Sequence, residues 1–154
     1  MPQILTSQTK IIVWQDSDFI VTTPSIPHIS KTDGGHLTVT PIKKTSSING
    51  LDDSELLKMM RIVGICEKAL IQVLGEQGIE IPFTNNQDNG NWAVAKNLPK
   101  SLHIHIYGRA KNSIKQVFGQ AIYAPDPHSN FYDNNQLLSD QDIEKIKQIL
   151  ETAI

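Results

Sequence analysis

A single cysteine, Cys66, occurs in 154 residues. This excludes an internal disulfide and a structural zinc site built on cysteine pairs, and it suits a reducing compartment. Excess positive charge is missing too. The formal net charge is −2 and the pI about 6.2, the opposite of the basic footprint by which a protein captures DNA or RNA, so any anionic ligand is held by local groups. No run approaches the roughly 18 apolar residues of a membrane span. Met1 to Thr6 lacks the basic-then-apolar order of a secretory leader, which points to a cytoplasmic protein. Internal repeats and low-complexity tracts are also absent, and the length suits one domain over residues 1–154.

What is present is a strict alternation, Ser101-Leu102-His103-Ile104-His105-Ile106-Tyr107-Gly108-Arg109. A period of two predicts a half-buried strand with Leu102, Ile104 and Ile106 on one face and Ser101, His103 and His105 on the other. If the aliphatic face is packed, the two imidazoles are held rigidly about 6 to 7 Å apart. Near pH 7 such imidazoles serve as nucleophile, acid, base or metal ligand. Equally, a bare His-x-His can be two surface histidines on the wet face of a sheet.

The rest of the chain reads as α+β. Ile11–Trp14 and Phe19–Thr23, separated by Asp16-Ser17-Asp18, predict a hairpin. A turn at Thr32-Asp33-Gly34-Gly35 precedes a strand from His36 to Thr40 that ends at Pro41. Asp52 and Glu55 form a capping-box pattern ahead of one long helix, whose apolar positions include Met59, Met60, Val63, Cys66 and Leu70 and which ends near Gly75 and Gly78. The Met59, Met60 and Cys66 stripe is read as core. A weaker strand is expected over Ile79–Gln87, then a tight turn over Asp88–Asn91. Residues 110–138 read as irregular, with at most one turn at Ile114–Phe118. Ser139 and Asp142 open a closing amphipathic helix. The absence of βαβ alternation predicts an antiparallel sheet with a long central helix and a C-terminal helix.

In this order, three stretches resemble the histidine triad family of nucleotide hydrolases and transferases over about residues 10–110: Trp14 to Pro24; Gly35-His36-Leu37-Thr38-Val39-Thr40-Pro41-Ile42-Lys43-Lys44 before the helix; and the His-φ-His-φ-His-φ-φ signature, with φ apolar. Two apolar residues follow His105, so His103 takes the middle position, and Ser101 stands where the family has its first histidine. The family's ribose-binding Asp or Asn would fall at Val21, which shifts that role toward His28 or Asp33. Thr45 replaces a further family histidine, and the zinc-binding cysteines of some members are missing.

The resemblance implies attack by His103 on an α-phosphate to give a nucleotidyl-histidine that water cleaves. The substrate would be a small nucleotide conjugate such as diadenosine tetraphosphate or a nucleoside phosphoramidate. His105 would hold the phosphate, and Ser101 would bond His103 or a phosphate oxygen in place of the missing imidazole. Asn89, Gly90, Asn91 and Asn97 are candidate phosphate donors. Trp92 either flanks the nucleotide or packs beneath the loop. Lys43 and Arg109 read as solvated cations, His36 as structural, and His128 has no assigned role. No resident metal or cofactor is expected, although a divalent ion can accompany the substrate phosphates, and a homodimer is expected. Two alternatives stand beside this reading: a His-x-His metal site completed by His36 or an acid, and a nucleotide-binding module without turnover.

Overall fold

The computed structural model describes residues 9–154; the amino-terminal Met1–Thr6 stretch lies outside them. The first hairpin pairs β1 (Lys10–Gln15) with β2 (Phe19–Pro24). Its turn is closed by Asp16, whose Oδ1 accepts from the amides of Asp18 and Phe19, each at 2.8 Å, the short-range bonding that makes Asp a turn former. β3 (His36–Pro41), β4 (Phe83–Asp88) and β5 (Ile104–Arg109) complete a five-stranded antiparallel sheet in the order β1-β2-β3-β5-β4.

The long helix α1 (Asp53–Gly75) begins with the expected capping box: Asp52 accepts from the Glu55 amide, and Glu55 accepts from the Asp52 amide. Met59, Ile62, Val63, Cys66, Ala69, Leu70, Val73 and Leu74 form its buried face. Met60, expected in the core, is instead 49% exposed, since one residue of rotation from Met59 carries it about 100° off the buried stripe. Burial pushes the Cys66 thiol up to about 12, so it stays protonated.

Further on, two expectations change. The strand expected from Ile79 begins only at Phe83, after Pro82, whose missing amide proton cannot join a ladder. In place of the tight turn at 88–91, Gly90 leads into a short helix, α2 (Asn91–Ala95). Ile114–Gln116 form a bend rather than a helical turn, with a separate turn at Phe118–Gly119; the bend is held because the Asp33 carboxylate accepts from the amides of Ile114 at 2.7 Å and Lys115 at 2.9 Å.

Helix α3 (Asp140–Ala153), capped by Ser139 and Asp142, packs on α1 and β1 through buried Ile146 and Leu150. Lys31 pairs with the buried Asp142 at 2.6 Å, which ties the segment before β3 to this helix. The helices thus cover one face of the sheet, built from Val21, Leu37, Val39, Ile104 and Ile106. Along each strand the alternate residues face the other way, and there the polar side chains collect.

Candidate active site

Cross-strand register assembles that open face. Thr38 of β3 and Gln87 of β4 both lie opposite His105, while His36 and Asn85 lie opposite Tyr107. Directly opposed residues project to the same side of a sheet, so His36, Thr38, His105 and Tyr107 share one surface. Thr22 extends the row, its Oγ1 lying 2.6 Å from that of Thr38. His103 lies just before the ladder. Its neighbours Leu102 and Ile104 are buried, and the Leu102 amide donates to the Thr45 carbonyl at 2.8 Å, so the backbone that carries His103 is fixed on both sides.

Hydrogen bonds assign the imidazole tautomers. The His28 amide donates to His36 Nδ1 at 3.2 Å; that nitrogen is therefore unprotonated and the His36 proton sits on Nε2. His36 Nε2 lies 2.8 Å from His105 Nδ1 and donates to it, which leaves the His105 proton on Nε2. His103 is set the other way. Its Nδ1 donates to the Ser101 carbonyl at 2.8 Å, so its Nε2 keeps the lone pair. An unprotonated ring nitrogen and an N–H donor thus belong to neighbouring rings, their centroids 4.6 Å apart.

Burial keeps these rings neutral, because a low-dielectric setting disfavours the charged form. It depresses His105 to about 2 and His28 to about 4, helped in each case by the charge His103 would carry. Burial also holds His36 well below its ordinary value, and lowers His103.

The imidazoles of His28, His36, His103 and His105 open on a cleft of about 790 Å³, within the range of sites that enclose a small ligand. Asn89, Gly90, Asn91 and Trp92 form one wall, and Lys10 and Lys96 bring positive charge to it. Trp92 stands edge-on to His28 at 5.3 Å. His128, to which no role was assigned, also lines the cleft.

Other expected residues lie elsewhere. Asn97 is exposed in a left-handed conformation (φ 55°) after α2 and is not part of the cleft lining. Ser101 is exposed, and its main-chain carbonyl rather than its hydroxyl meets His103. The Asp33 carboxylate, considered for ribose, is taken up by the 114–115 amides, and Val21 is in the core.

Lys43 pairs with Glu55 at 3.0 Å. Arg109 is not a solvated cation: it is 1% exposed and donates to Asn85 Oδ1 and to the carbonyls of Val117 and Gln120, bracing the 117–120 segment against β4 and β5. His36, read as structural, is bonded to His105. The alternation of β3 carried that signal, because the residue two positions after His36 faces His105. For His28 the resemblance pointed only to a part in ribose recognition; its bond to Tyr107, 79 positions away, left no signal in the sequence.

One nitrogen from each of His28, His36 and His105 lies within 4.8 Å of the others, the grouping among the described residues that is able to hold a metal ion. The His28 amide on His36 Nδ1 opposes this. A metal on His36 Nε2 would have to displace a proton that cannot move to Nδ1 without facing another N–H.

A five-stranded antiparallel sheet, with the long helix on one face and the histidine strand opening on the other, is the histidine triad fold. A histidine triad protein from Bradyrhizobium japonicum superposes with a TM-score of 0.62 at 14% identity, over 94% of this chain and 90% of that one. A Hit-like protein involved in cell-cycle regulation from Bartonella henselae gives 0.56 at 16% identity, over 95% and 87%. A hypothetical histidine triad nucleotide-binding protein from Sulfolobus tokodaii gives 0.56 at 14%, over 94% and 83%. No protein-family model matches the sequence, and no curated protein matches it significantly.

Proposed function

We propose that the protein cleaves or transfers a nucleotidyl group at the α-phosphate of a nucleotide conjugate, such as a dinucleoside polyphosphate or a nucleoside phosphoramidate, through a nucleotidyl-His103 intermediate. The observation that carries this reading is the bond from His103 Nδ1 to the Ser101 carbonyl, which leaves an unprotonated Nε2 on a cleft lined by neutral imidazoles and two lysines. A main-chain oxygen supplies that bond, so the serine at the first signature position leaves it intact.

In the first step His103 Nε2 attacks phosphorus in line with the leaving group. The P–Nε2 bond forms as the bond to the leaving group breaks, a polyphosphate departing as its anion and an amine departing with a proton taken from solvent, and the positive charge on the ring is shared with the Ser101 carbonyl through Nδ1–H. His105 Nε2–H donates to a phosphate oxygen on which charge gathers, a preorganised donor of the kind that stabilises transition states. Water then attacks phosphorus, the P–Nε2 bond breaks, the water proton passes to solvent, and neutral His103 is restored. Asn89, Gly90 and Asn91 line the same cleft and would supply further donors to a phosphate chain. The step requires no resident metal; a divalent ion would enter on the substrate phosphates. The resemblance of the signature and the histidine triad fold support this reading.

The test is incubation with diadenosine tetraphosphate and with adenosine phosphoramidate. AMP release is expected, with a loss of about 10³-fold or more in His103→Asn, and acid-labile, base-stable adenylylated protein should be trapped from the wild type alone. Equal AMP release by the two proteins would overturn it.

A further inference from the structure

His28 lies outside the histidine signature, on the segment between β2 and β3, yet it reaches the centre of the cleft. Its ring lies 4.8 Å from that of His36 and 5.3 Å from that of His105, nearly parallel to the latter at 26°. Its Nδ1 is 2.8 Å from the Tyr107 hydroxyl, and the same hydroxyl accepts from Asn89 Nδ2 at 3.1 Å. Tyr107 is fully buried. With Asn89 acting as donor, the hydroxyl proton goes to His28 Nδ1, the acceptor within reach, because a buried O–H left unpaired costs on the order of 1–3 kcal/mol. The His28 proton is therefore on Nε2. Among the described residues that nitrogen has no hydrogen-bond partner and, unlike Arg109 Nε, is not sealed from solvent, so it opens on the cleft.

We propose that His28 is a substrate-binding residue whose Nε2–H donates to a phosphate oxygen of the bound nucleotide, its tautomer fixed by the Asn89–Tyr107 relay. This rests on the reading that the cleft takes a phosphate ester. Two relays converge on the site, His28 amide to His36 to His105, and Asn89 to Tyr107 to His28. They leave two neutral N–H donors on adjacent, nearly parallel rings, a spacing that lets both reach the oxygens of one phosphoryl group. Neutral donors suit an anion whose charge is to be redistributed during reaction, because they bind without fixing a counter-charge. The serine at position 101 removes one imidazole from the strand, and His28 brings another to the same cleft from a different segment.

Nitrogen-15 spectra of histidine-labelled protein read the tautomers directly, whether or not the protein turns over. The expected result is an unprotonated Nδ1 and a protonated Nε2 on His28, with Tyr107→Phe giving a mixture of the two tautomers. Inorganic phosphate and AMP should shift His28 Nε2, and adenosine should not. His28→Ala should weaken AMP binding about tenfold and leave adenosine binding unchanged.

Protonation of His28 at Nδ1 would overturn the proposal. So would a shift of Nε2 by adenosine equal to that by AMP, which would place the ring on ribose. Loss of the Nε2 proton on adding one equivalent of Zn²⁺ alone would overturn it in favour of a metal site. Absence of AMP release with these tautomers and shifts intact would sink the hydrolase reading and not this one.

Discussion

His36 and His105 are not partners in the β3–β5 ladder, yet His36 Nε2 lies 2.8 Å from His105 Nδ1. Their register partners are Tyr107 and Thr38, so the bond runs diagonally across the strand pair, within reach of long side chains. A diagonal contact of this kind orients a ring without lying beneath it. His36→Phe keeps the shape, removes the donor and releases the His105 tautomer. Under the proposed mechanism the expected outcome is a fall in kcat of about 10²-fold or more, with KM changed far less, because the proposed donor set for the transition state is then populated only part of the time. Steady-state kinetics with diadenosine tetraphosphate checks it; an unchanged kcat would detach His36 from the chemistry.

The pH profile follows from His103. In the proposed mechanism its attack requires the neutral ring, and burial holds its protonation below the ordinary histidine value. AMP release should therefore stay flat as pH falls from 8 to 6.5 and decline only in more acid solution. An acid limb centred at the ordinary 6.5 or above would contradict this.

Stability should respond to acid more steeply than that of most proteins of this size. His28, His36 and His105 all have folded-state values below that of a free histidine, near 4 for His28 and near 2 for His105. Above about pH 6.5 both folded and unfolded chains hold these rings neutral, and stability is full. Below it the unfolded chain takes up protons that the folded chain refuses, so stability falls as pH drops toward the folded values. The slope is up to about 1.4 kcal/mol per pH unit for each ring. The groups facing the cluster, Lys10 and His103, oppose its protonation as well. Urea midpoints between pH 7.5 and 5 measure the effect, and His36→Phe should flatten the slope by about one third.

Much of this was legible before any coordinates. The capping boxes at Asp52 and Ser139 are local signals and appear where expected; the alternation holds Leu102, Ile104 and Ile106 in the core, but the strand starts only at Ile104 and is buried on both faces rather than half-buried. The cleft lining was half legible: Asn89 to Trp92 line it as expected, while Asn97, itself left-handed and placed after α2, lies outside it. His28 and His36 were named singly, for ribose and as a metal ligand, but the bonds that join them to Tyr107 and His105 run between segments far apart in sequence and left no local signal. Arg109 was misread for the same reason: a cation followed by polar residues looks solvated until the 117–120 segment folds back and supplies its carbonyl partners.

Two glycines with opposite surroundings give a final prediction. A Cβ on Gly108 would overlap the carbonyl oxygen of Gly34, and one on Gly34, at φ 128°, would overlap the Gly108 carbonyl. The two backbones touch where β5 passes the turn before β3, next to the His36–Tyr107 pair. Gly108→Ala must push these segments apart, at a cost of about 1–3 kcal/mol, and the separation should carry His36 away from His105. Gly64 lies inside α1, where an added Cβ meets nothing within 4 Å. Gly64→Ala should instead stabilise by about 0.5–1 kcal/mol, since alanine narrows the unfolded ensemble and favours helix. Thermal unfolding of both variants, with AMP release alongside, separates the effects: Gly108→Ala should lose stability and turnover together, while Gly64→Ala gains stability with turnover unchanged. A neutral Gly108→Ala would mean that the β3–β5 junction is looser than the contact between these two backbones requires.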